Sequence, residues 1–410
     1  MLSGVNYGQS VALILTKDAA ERRKQKMNVK ERRDILVTCG PGLKDYLQSE
    51  LEGLGFKIVG SHPGSVLTRG SFIDCLKLNF CLRTAYNVLY LLREFRCGST
   101  DALYKQIGNV PCENIIDPKE HLCVLSKVDT WTVNNSMYPN LKVKDAIVDR
   151  INRKTGSRPD SGVDRHGVVI NLFWKNDRAW IYLNTSGVKL SDRNYRKMPH
   201  KAPLRESLAA GIIMATGYDG SQDLVLPMCG SGTLAIESAL IAMNKPAGSL
   251  RSNFGFKHVK VFDERIWEEI RNEVRQTIRR DGLQKRIIAT DIDEKAIEAA
   301  RQNARTAGVE HLIEFAVCDF AETEVPEGEG IVVMNPEYGL RLGEIEQLEK
   351  EYKRIGDFLK NKCTGYTGYL LTGNKELSVK FGLKACRRMV FYNGNIECRL
   401  LKYELYKGSR

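Results

Sequence analysis

Four short stretches of the chain carry side chains able to do chemistry. The apolar run Ile331 to Met334 reads as a buried strand and stops at Asn335-Pro336-Glu337-Tyr338, where an amide, a rigid imide, a carboxylate and an aromatic ring crowd together. Pro227-Met228-Cys229-Gly230-Ser231-Gly232-Thr233 lies between a strand and a helix. Its glycines let the backbone come close to a ligand, and the helix start presents free N–H groups. No lysine follows the second glycine, so this is not a phosphate P-loop, although similar glycine spacings occur in dinucleotide-binding folds. Asp291, with Ile292 beside it, ends a strand where it can accept hydrogen bonds from a ribose diol; its alternative role is helix capping, for which Asp293 is also available. Asp319-Phe320 offers a carboxylate to an adenine amine and a ring to pack on the base, or is an ordinary turn.

The elements around these stretches alternate strand with helix. The order is "DLVLP", the glycine loop, helix "LAIESALIAM", a polar helical insertion, "RIIATD", helix "DEKAIEAARQNARTAG", "IEFAVCDF", "GIVVMN", a helix from about Glu344, then "GYTGYLLTG", "RRMVFYN" and "ECRLLKYELY". Such alternation predicts an α/β domain with a mostly parallel, doubly wound sheet, whose ligands sit beyond the carboxyl ends of the strands. Upstream, "DILVTCGPGLKDYLQSELEGLGFKIVG" predicts strand, turn, amphipathic helix and strand, a small α+β unit. Helical spacing of apolar residues predicts a helix in "FCLRTAYNVLYLLREF". "HLCVLSKVDT" predicts a strand, "NLKVKDAIVDRINRKTG" a helix, and "GVVINLFWKNDRAWIYLNT" a hairpin closed at Lys175-Asn176-Asp177. A basic, loop-rich connector from Ser186 to Lys201 precedes a helix starting near Ala202-Pro203, and the main domain boundary is expected there.

Composition narrows the class. At 410 residues, more than one domain is expected, and no apolar run is long enough to span a bilayer. The 11 cysteines include no C-x-x-C pair and the six histidines form no ligand pattern, so no metal site is suggested and a reduced cytoplasmic location fits. A formal charge of +12 points to a polyanionic partner. The charge concentrates in the leader before Arg33, in "LKVKDAIVDRINRKTGSRPDSGVDR", and in "KLSDRNYRKMPHKAPLRE". The last two interleave cations with Tyr195, proline and glycine, as phosphate contacts plus a stacking ring would require.

A glycine loop after one strand, an acid after the next, an acid after the third and N-P-x-Y after the fourth is the arrangement of a class I methyltransferase. "PMCGSGTLAIESALIA", "TDIDEKAIEAARQNARTAGV" and "NPEYGLRLGE", with "KVKDAIVDRINRKTGSRPD" and "DRNYRKMPHKAPLRESLAAGII" upstream, resemble the THUMP-containing bacterial rRNA large-subunit methyltransferases. The resemblance runs from about Ile35 to Tyr406. It implies a basic leader (1–33), a ferredoxin-like domain (34–100), a THUMP domain for RNA (101–187), the basic connector (188–203) and a Rossmann-like domain (204–410) using S-adenosylmethionine. It further implies N2-methylguanosine formation in 23S rRNA or an assembling large subunit, and the form with a single methyltransferase domain.

On that resemblance, Asn335, Pro336 and Tyr338 are the expected catalytic group: the amide oxygen and the Pro336 carbonyl accept the amine's N–H bonds, and Tyr338 stacks on the extruded base. Residues 227–233, Asp291, Ile292, Asp319, Phe320 and Asn335 would hold the cofactor. Lys142, Lys144, Arg150, Arg153, Arg158, Arg193, Tyr195, Arg196, Lys197 and Arg205 would meet RNA. Three positions depart from the family pattern: Glu337 replaces a second proline, Leu226 an aspartate before Pro-Met-Cys-Gly, and Asn194 the glycine of "RGYR". The aspartate's loss predicts weaker cofactor binding. Two other readings stay open, a tRNA guanine or nucleic-acid adenine methyltransferase and an RNA-binding assembly protein with weakened catalysis.

Overall fold

The computed structural model describes residues 27–133, 137–198, 203–337 and 345–406, so most of the basic leader, Tyr338 and Arg341 lie outside the described residues. In the first half, β1 (Arg33–Cys39), β2 (Ile58–His62), β3 (Ser65–Gly70), β4 (Ala85–Arg96), β5 (Leu122–Asp129), β6 (Ser161–Gly162), β7 (Val168–Lys175) and β8 (Arg178–Asn184) form one sheet in the order β2-β3-β1-β4-β8-β7-β5-β6. The antiparallel β4–β8 pairing, with Tyr90 opposite Leu183, fuses what the sequence divides near residue 100 into a continuous sheet.

The stretch expected to be helical at 80–95 is instead mostly β4, and the helix precedes it at Phe72–Cys81. Ser71 starts that helix with a capping box: its hydroxyl accepts from the Asp74 N–H, and the Asp74 carboxylate accepts from the Ser71 N–H. β4 lies between two strands and does not alternate in burial; Val88, Leu89 and Tyr90 are consecutive and all buried. The hairpin β7–β8 turns at Asn176, which adopts φ +53, a conformation asparagine tolerates.

The second half contains β9 (Asp223–Pro227), β10 (Ile287–Asp291), β11 (Glu314–Val317), β12 (Gly330–Met334), β13 (Thr367–Thr372), β14 (Arg387–Asn393) and β15 (Ile396–Glu404), in the order β11-β10-β9-β12-β13-β15-β14. β9 to β13 are parallel and β15 runs antiparallel to both its neighbours. The strand order reverses direction between β9 and β12, and the crevice at that switch point is where a doubly wound sheet binds ligands. β9 and β12 are buried along their whole length, as strands covered on both faces must be. The helix after the connector spans Glu206–Thr216, beginning slightly later than expected.

The polar insertion after the first helix of this half packs back on the other sheet's helix. Trp267 meets Phe80 edge to face at 5.3 Å, and the Gly248 N–H donates to the Phe80 carbonyl at 2.8 Å. A side chain at Gly248 would approach the Phe80 main chain to 3.0 Å, so glycine permits this contact.

Candidate active site

The glycine loop leaves β9 through a sharp backbone turn. Met228 adopts φ +58, Gly230 +54 and Gly232 +78. A Cβ on Gly232 would lie 2.9 Å from the Ala300 Cβ, so this glycine allows the loop to pack on the helix Glu294–Ala307. A Cβ on Gly230 would meet nothing within 4 Å, so that glycine faces open space. Ser231 and Thr233 are buried, and Thr233 begins the helix Thr233–Ala242.

Asp291 fixes the loop from the next strand. Its Oδ2 accepts from the Gly230 N–H at 2.8 Å, and its Oδ1 from the Asp293 N–H at 3.0 Å. Asp293, not Asp291, caps the following helix, accepting from the Lys295 N–H. Ile292 stands 72% exposed beside it, an apolar side chain at the crevice with nothing covering most of its surface. Leu226 is buried in the main hydrophobic cluster, level with Ala289 of β10, so the grip on the loop comes from Asp291 rather than from position 226.

Strand register aligns these groups with Asn335. Val332 pairs with Val225 and Thr290 with Pro227; carried onward, the register brings Asn335 and Asp291 both level with Met228. The Asn335 Oδ1 is buried and has no hydrogen-bond partner among the described residues. Buried polar atoms are normally satisfied, so an orphaned acceptor at a strand's carboxyl end marks a place where a donor is missing. Pro336 is buried and Glu337 exposed.

Asp319 and Phe320 differ in outcome. Asp319 caps a short 3₁₀ turn through the Ala321 N–H at 2.9 Å, and both its oxygens accept from Arg354 Nη2 at 2.9 Å. Burial works to raise its pKa, but the Ala321 N–H and the Arg354 guanidinium outweigh it and hold the carboxyl below its usual value. The Phe320 ring is only 5% exposed, edge-on to Phe358 at 6.1 Å, with the Arg354 guanidinium 4.8 Å from its centre. The ring is a core residue and cannot be a base platform in this conformation, which corrects its expected role.

The helix Ile345–Lys362 supplies two side chains that sequence reasoning missed, Glu351 and Arg354. Burial first, then the neighbouring Glu337 charge, pushes the Glu351 carboxyl above its usual value, with Arg354 opposing and Asp319 adding to the rise. Charges three apart on the polar side of a helix are indistinguishable in sequence from solvated surface pairs.

The connector is clamped to this site. Arg196 Nη1 donates to the Ser231 hydroxyl at 3.3 Å, and its Nη2 to the Leu204 carbonyl at 2.7 Å. The buried Asn303 Oδ1 accepts the Lys197 and Met198 N–H groups at 2.9 and 3.1 Å, while its Nδ2 donates to the Ser231 carbonyl at 3.3 Å. Asn194 has φ +66, which explains why glycine suits this position and why asparagine can replace it.

Two expected RNA contacts are instead internal. Arg193 and Tyr195 are each 1% exposed and converge on the fully buried Glu237, at 2.8 and 3.0 Å. Burial pushes the Glu237 carboxyl up, against the pull of Arg193, Arg83 and the Tyr195 hydroxyl. A basic, aromatic-containing connector looks alike whether it meets phosphate or a buried carboxylate, and the partner Glu237 lies in a separate element, the helix Thr233–Ala242. Arg150 is also committed, gripping Glu113 with both Nε and Nη2 at 2.6 and 2.7 Å. Lys142 and Lys144 are partly buried beside Asp101 and Asp145. Arg153, Arg158, Lys197 and Arg205 are exposed.

The fold and the site's groups define a class I methyltransferase domain carried behind a ferredoxin-like and a THUMP domain. Residues 193–402 match the RMKL-like methyltransferase domain, 34–89 the RlmL ferredoxin-like domain and 97–184 the THUMP domain. The chain belongs to the RMKL-like methyltransferase family.

It is 36% identical over 381 residues to a protein of Syntrophotalea carbinolica named ribosomal RNA large subunit methyltransferase K/L, covering 90% of this chain and 53% of that one. The chain thus spans about half the length of the curated relatives it matches first. A Synechocystis protein classed by name with the RNA methyltransferases is 30% identical over 374 residues, covering 91% of this chain and 97% of the other. Among solved structures, SMU.472 complexed with S-adenosylhomocysteine superposes with a TM-score of 0.83 at 26% identity, covering 93% of this chain and all of that chain. None of the described helices is long and apolar enough to cross a membrane.

Proposed function

We propose that the chain is an S-adenosylmethionine-dependent RNA methyltransferase that methylates the exocyclic N2 amine of a guanosine in large-subunit rRNA. The observation that carries this reading is the buried Asn335 Oδ1, without a hydrogen-bond partner among the described residues and level with Asp291 and the glycine loop at the switch point of the sheet. The relatives' names support the RNA substrate, and SMU.472 with its bound S-adenosylhomocysteine supports the cofactor.

The residues present fit that cofactor. Gly230 leaves open space before the loop, Ile292 offers an exposed apolar surface, and Asp291 supplies a carboxylate next to it. The cofactor, when bound, supplies a methyl group on a positively charged sulfur, which departs as a neutral thioether when nitrogen takes the carbon. The chain's own work is orientation. Asn335 Oδ1 and the Pro336 carbonyl accept the two amine N–H bonds, withdraw the lone pair from ring conjugation and aim it, while Tyr338 stacks on the base. The nitrogen's surplus proton is strongly acidic after transfer and passes to water, so no strong base is required. The exposed cations Arg153, Arg158, Lys197 and Arg205 hold the phosphate backbone. We assign the RNA grip to 34–187, methyl transfer to 204–410, and to the connector the coupling of the two.

The test is transfer of labelled methyl from S-adenosylmethionine into unmodified large-subunit rRNA, followed by nucleoside analysis. Label in N2-methylguanosine, lost in Asn335→Ala, is the expected result. Label in another nucleoside, or full transfer by Asn335→Ala, overturns the reading.

A further inference from the structure

Asn303, fully buried on the helix Glu294–Ala307, joins the connector to the glycine loop, and its bonding capacity is used up in doing so. A side-chain amide has two acceptor sites and two N–H bonds. Here Oδ1 accepts the Lys197 and Met198 N–H groups at 2.9 and 3.1 Å, and Nδ2 donates to the Met198 carbonyl at 3.1 Å and the Ser231 carbonyl at 3.3 Å. The reversed amide would set oxygen against carbonyls and N–H against N–H, so these partners fix its orientation. Arg196 makes a second link: Nη1 donates to the Ser231 hydroxyl at 3.3 Å, while Nη2 and Nε hold the Leu204 carbonyl and the Glu206 carboxylate. Upstream, the connector is tied to the N-terminal half, because Arg193 Nη2 donates to the Arg83 carbonyl at 2.5 Å. Arg193 and Tyr195 also share Glu237, which stands on the helix that the glycine loop opens. Lys197 thus combines a latched backbone N–H with an exposed cation.

We propose that Asn303 is a positioning residue that makes cofactor and RNA bind cooperatively, by seating the connector and the glycine loop against one buried amide. This rests on the methyltransferase reading of the site and deepens it. A buried amide that loses some of its partners pays the full desolvation cost of the rest, so the latch opens and closes as a unit. Phosphate held by Lys197 favours the seated connector. The seated connector in turn fixes the carbonyl and the hydroxyl of Ser231, in the loop that the cofactor must meet. Both ligands favour the same arrangement, so each tightens the other by the same factor, typically about 5- to 150-fold for coupled sites. A side chain that only stabilised the domain would leave that factor unchanged.

The experiment measures labelled S-adenosylhomocysteine binding to the full chain by equilibrium dialysis, with and without saturating unmodified large-subunit rRNA. RNA affinity with and without S-adenosylhomocysteine, by filter binding, gives the reciprocal factor. Wild type is expected to show about fivefold tightening or more, equal in both directions. Asn303→Asp keeps the two acceptor oxygens and removes the donors to Ser231 and Met198, and is expected to bring the factor near one. Arg196→Lys, at a partly exposed position, keeps the charge beside Glu206 and loses the planar fork; it is expected to lower the factor about twofold or more and decides the matter if Asn303→Asp does not fold. Asp291→Ala weakens S-adenosylhomocysteine binding without touching the connector, and is expected to keep the factor. A factor of one in wild type, the full factor in the variants that fold, or an equal loss in Asp291→Ala overturns the inference. Wild type that binds no S-adenosylhomocysteine sinks the methyltransferase reading and the inference with it, whereas binding without coupling sinks the inference alone.

Discussion

The Gly230 N–H donates to Asp291 Oδ2 across 2.8 Å, so the acid ending β10 holds the glycine loop that follows β9. This pairing does the work that Leu226, a buried core side chain, cannot. Asp291→Ala is expected to weaken S-adenosylhomocysteine binding about tenfold or more, because the loop loses a charge-assisted hydrogen bond as well as the ligand's acceptor. Isothermal titration checks it, and an unchanged affinity would remove Asp291 from the cofactor site.

The two loop glycines are expected to fail differently. Gly232→Ala combines φ +78 with a 2.9 Å approach to Ala300 and should destabilise the domain by about 1–3 kcal/mol in chemical denaturation. Gly230→Ala has room for its methyl but keeps φ +54, so it should cost only the left-handed backbone penalty, roughly 1–2 kcal/mol. Its effect should appear in cofactor affinity instead.

Arg193 is expected to be structural. Glu237→Ala leaves a buried guanidinium without its carboxylate and should cost on the order of 3–5 kcal/mol. Arg193→Ala should likewise lower the unfolding midpoint while leaving the salt dependence of RNA binding unchanged. A shallower salt slope in a stably folded Arg193→Ala would restore it as a phosphate contact.

The exposed cations should behave oppositely. Arg153→Ala, Arg158→Ala, Lys197→Ala and Arg205→Ala should each leave the unfolding midpoint within about 0.5 kcal/mol of wild type. Each that touches phosphate should reduce the logarithmic salt slope of RNA affinity by about one. Filter binding across a salt series distinguishes contacts from bystanders.

Glu351 predicts a pH signature. Its folded pKa is raised, by burial first and by the Glu337 charge second, so the folded state holds this proton more tightly than the unfolded chain. The stabilisation from that proton is complete below the unfolded carboxyl value and is lost as pH rises through the folded one. Glu351→Gln should therefore raise the melting temperature at pH 7, by less than about 1 kcal/mol equivalent, and change it little at pH 4. A Glu351→Gln shift from wild type that is the same at both pH values would show Glu351 to be unperturbed.

Much of the methyltransferase half was legible in the sequence because its signals are local. Strands such as "DLVLP" and "GIVVMN" are short apolar runs buried on both faces, and the glycine loop, Asp291 and N-P-x-Y fall at their carboxyl ends because the alternation of strand and helix forces them there. The same local logic found the hairpin β7–β8 and the long helix Met137–Thr155. It failed at residues 80–95, where consecutive buried residues suit a helix face or an interior strand equally, and only pairing with β1 and β8 selects the strand.

What the tertiary structure alone decided is the fate of each charge and ring. Sequence determined that Arg193, Tyr195, Arg150 and Phe320 were present near functional motifs. It carried no information about Glu237, Glu113 or Phe358 lying opposite them. Those partners come from separate elements, and a guanidinium has the same chemistry facing solvent phosphate or an internal carboxylate. Packing determines which one it meets. The orphaned Asn335 oxygen, the bond from Gly230 to Asp291 and the acidic neighbours of Glu337 are likewise products of strand register and helix docking.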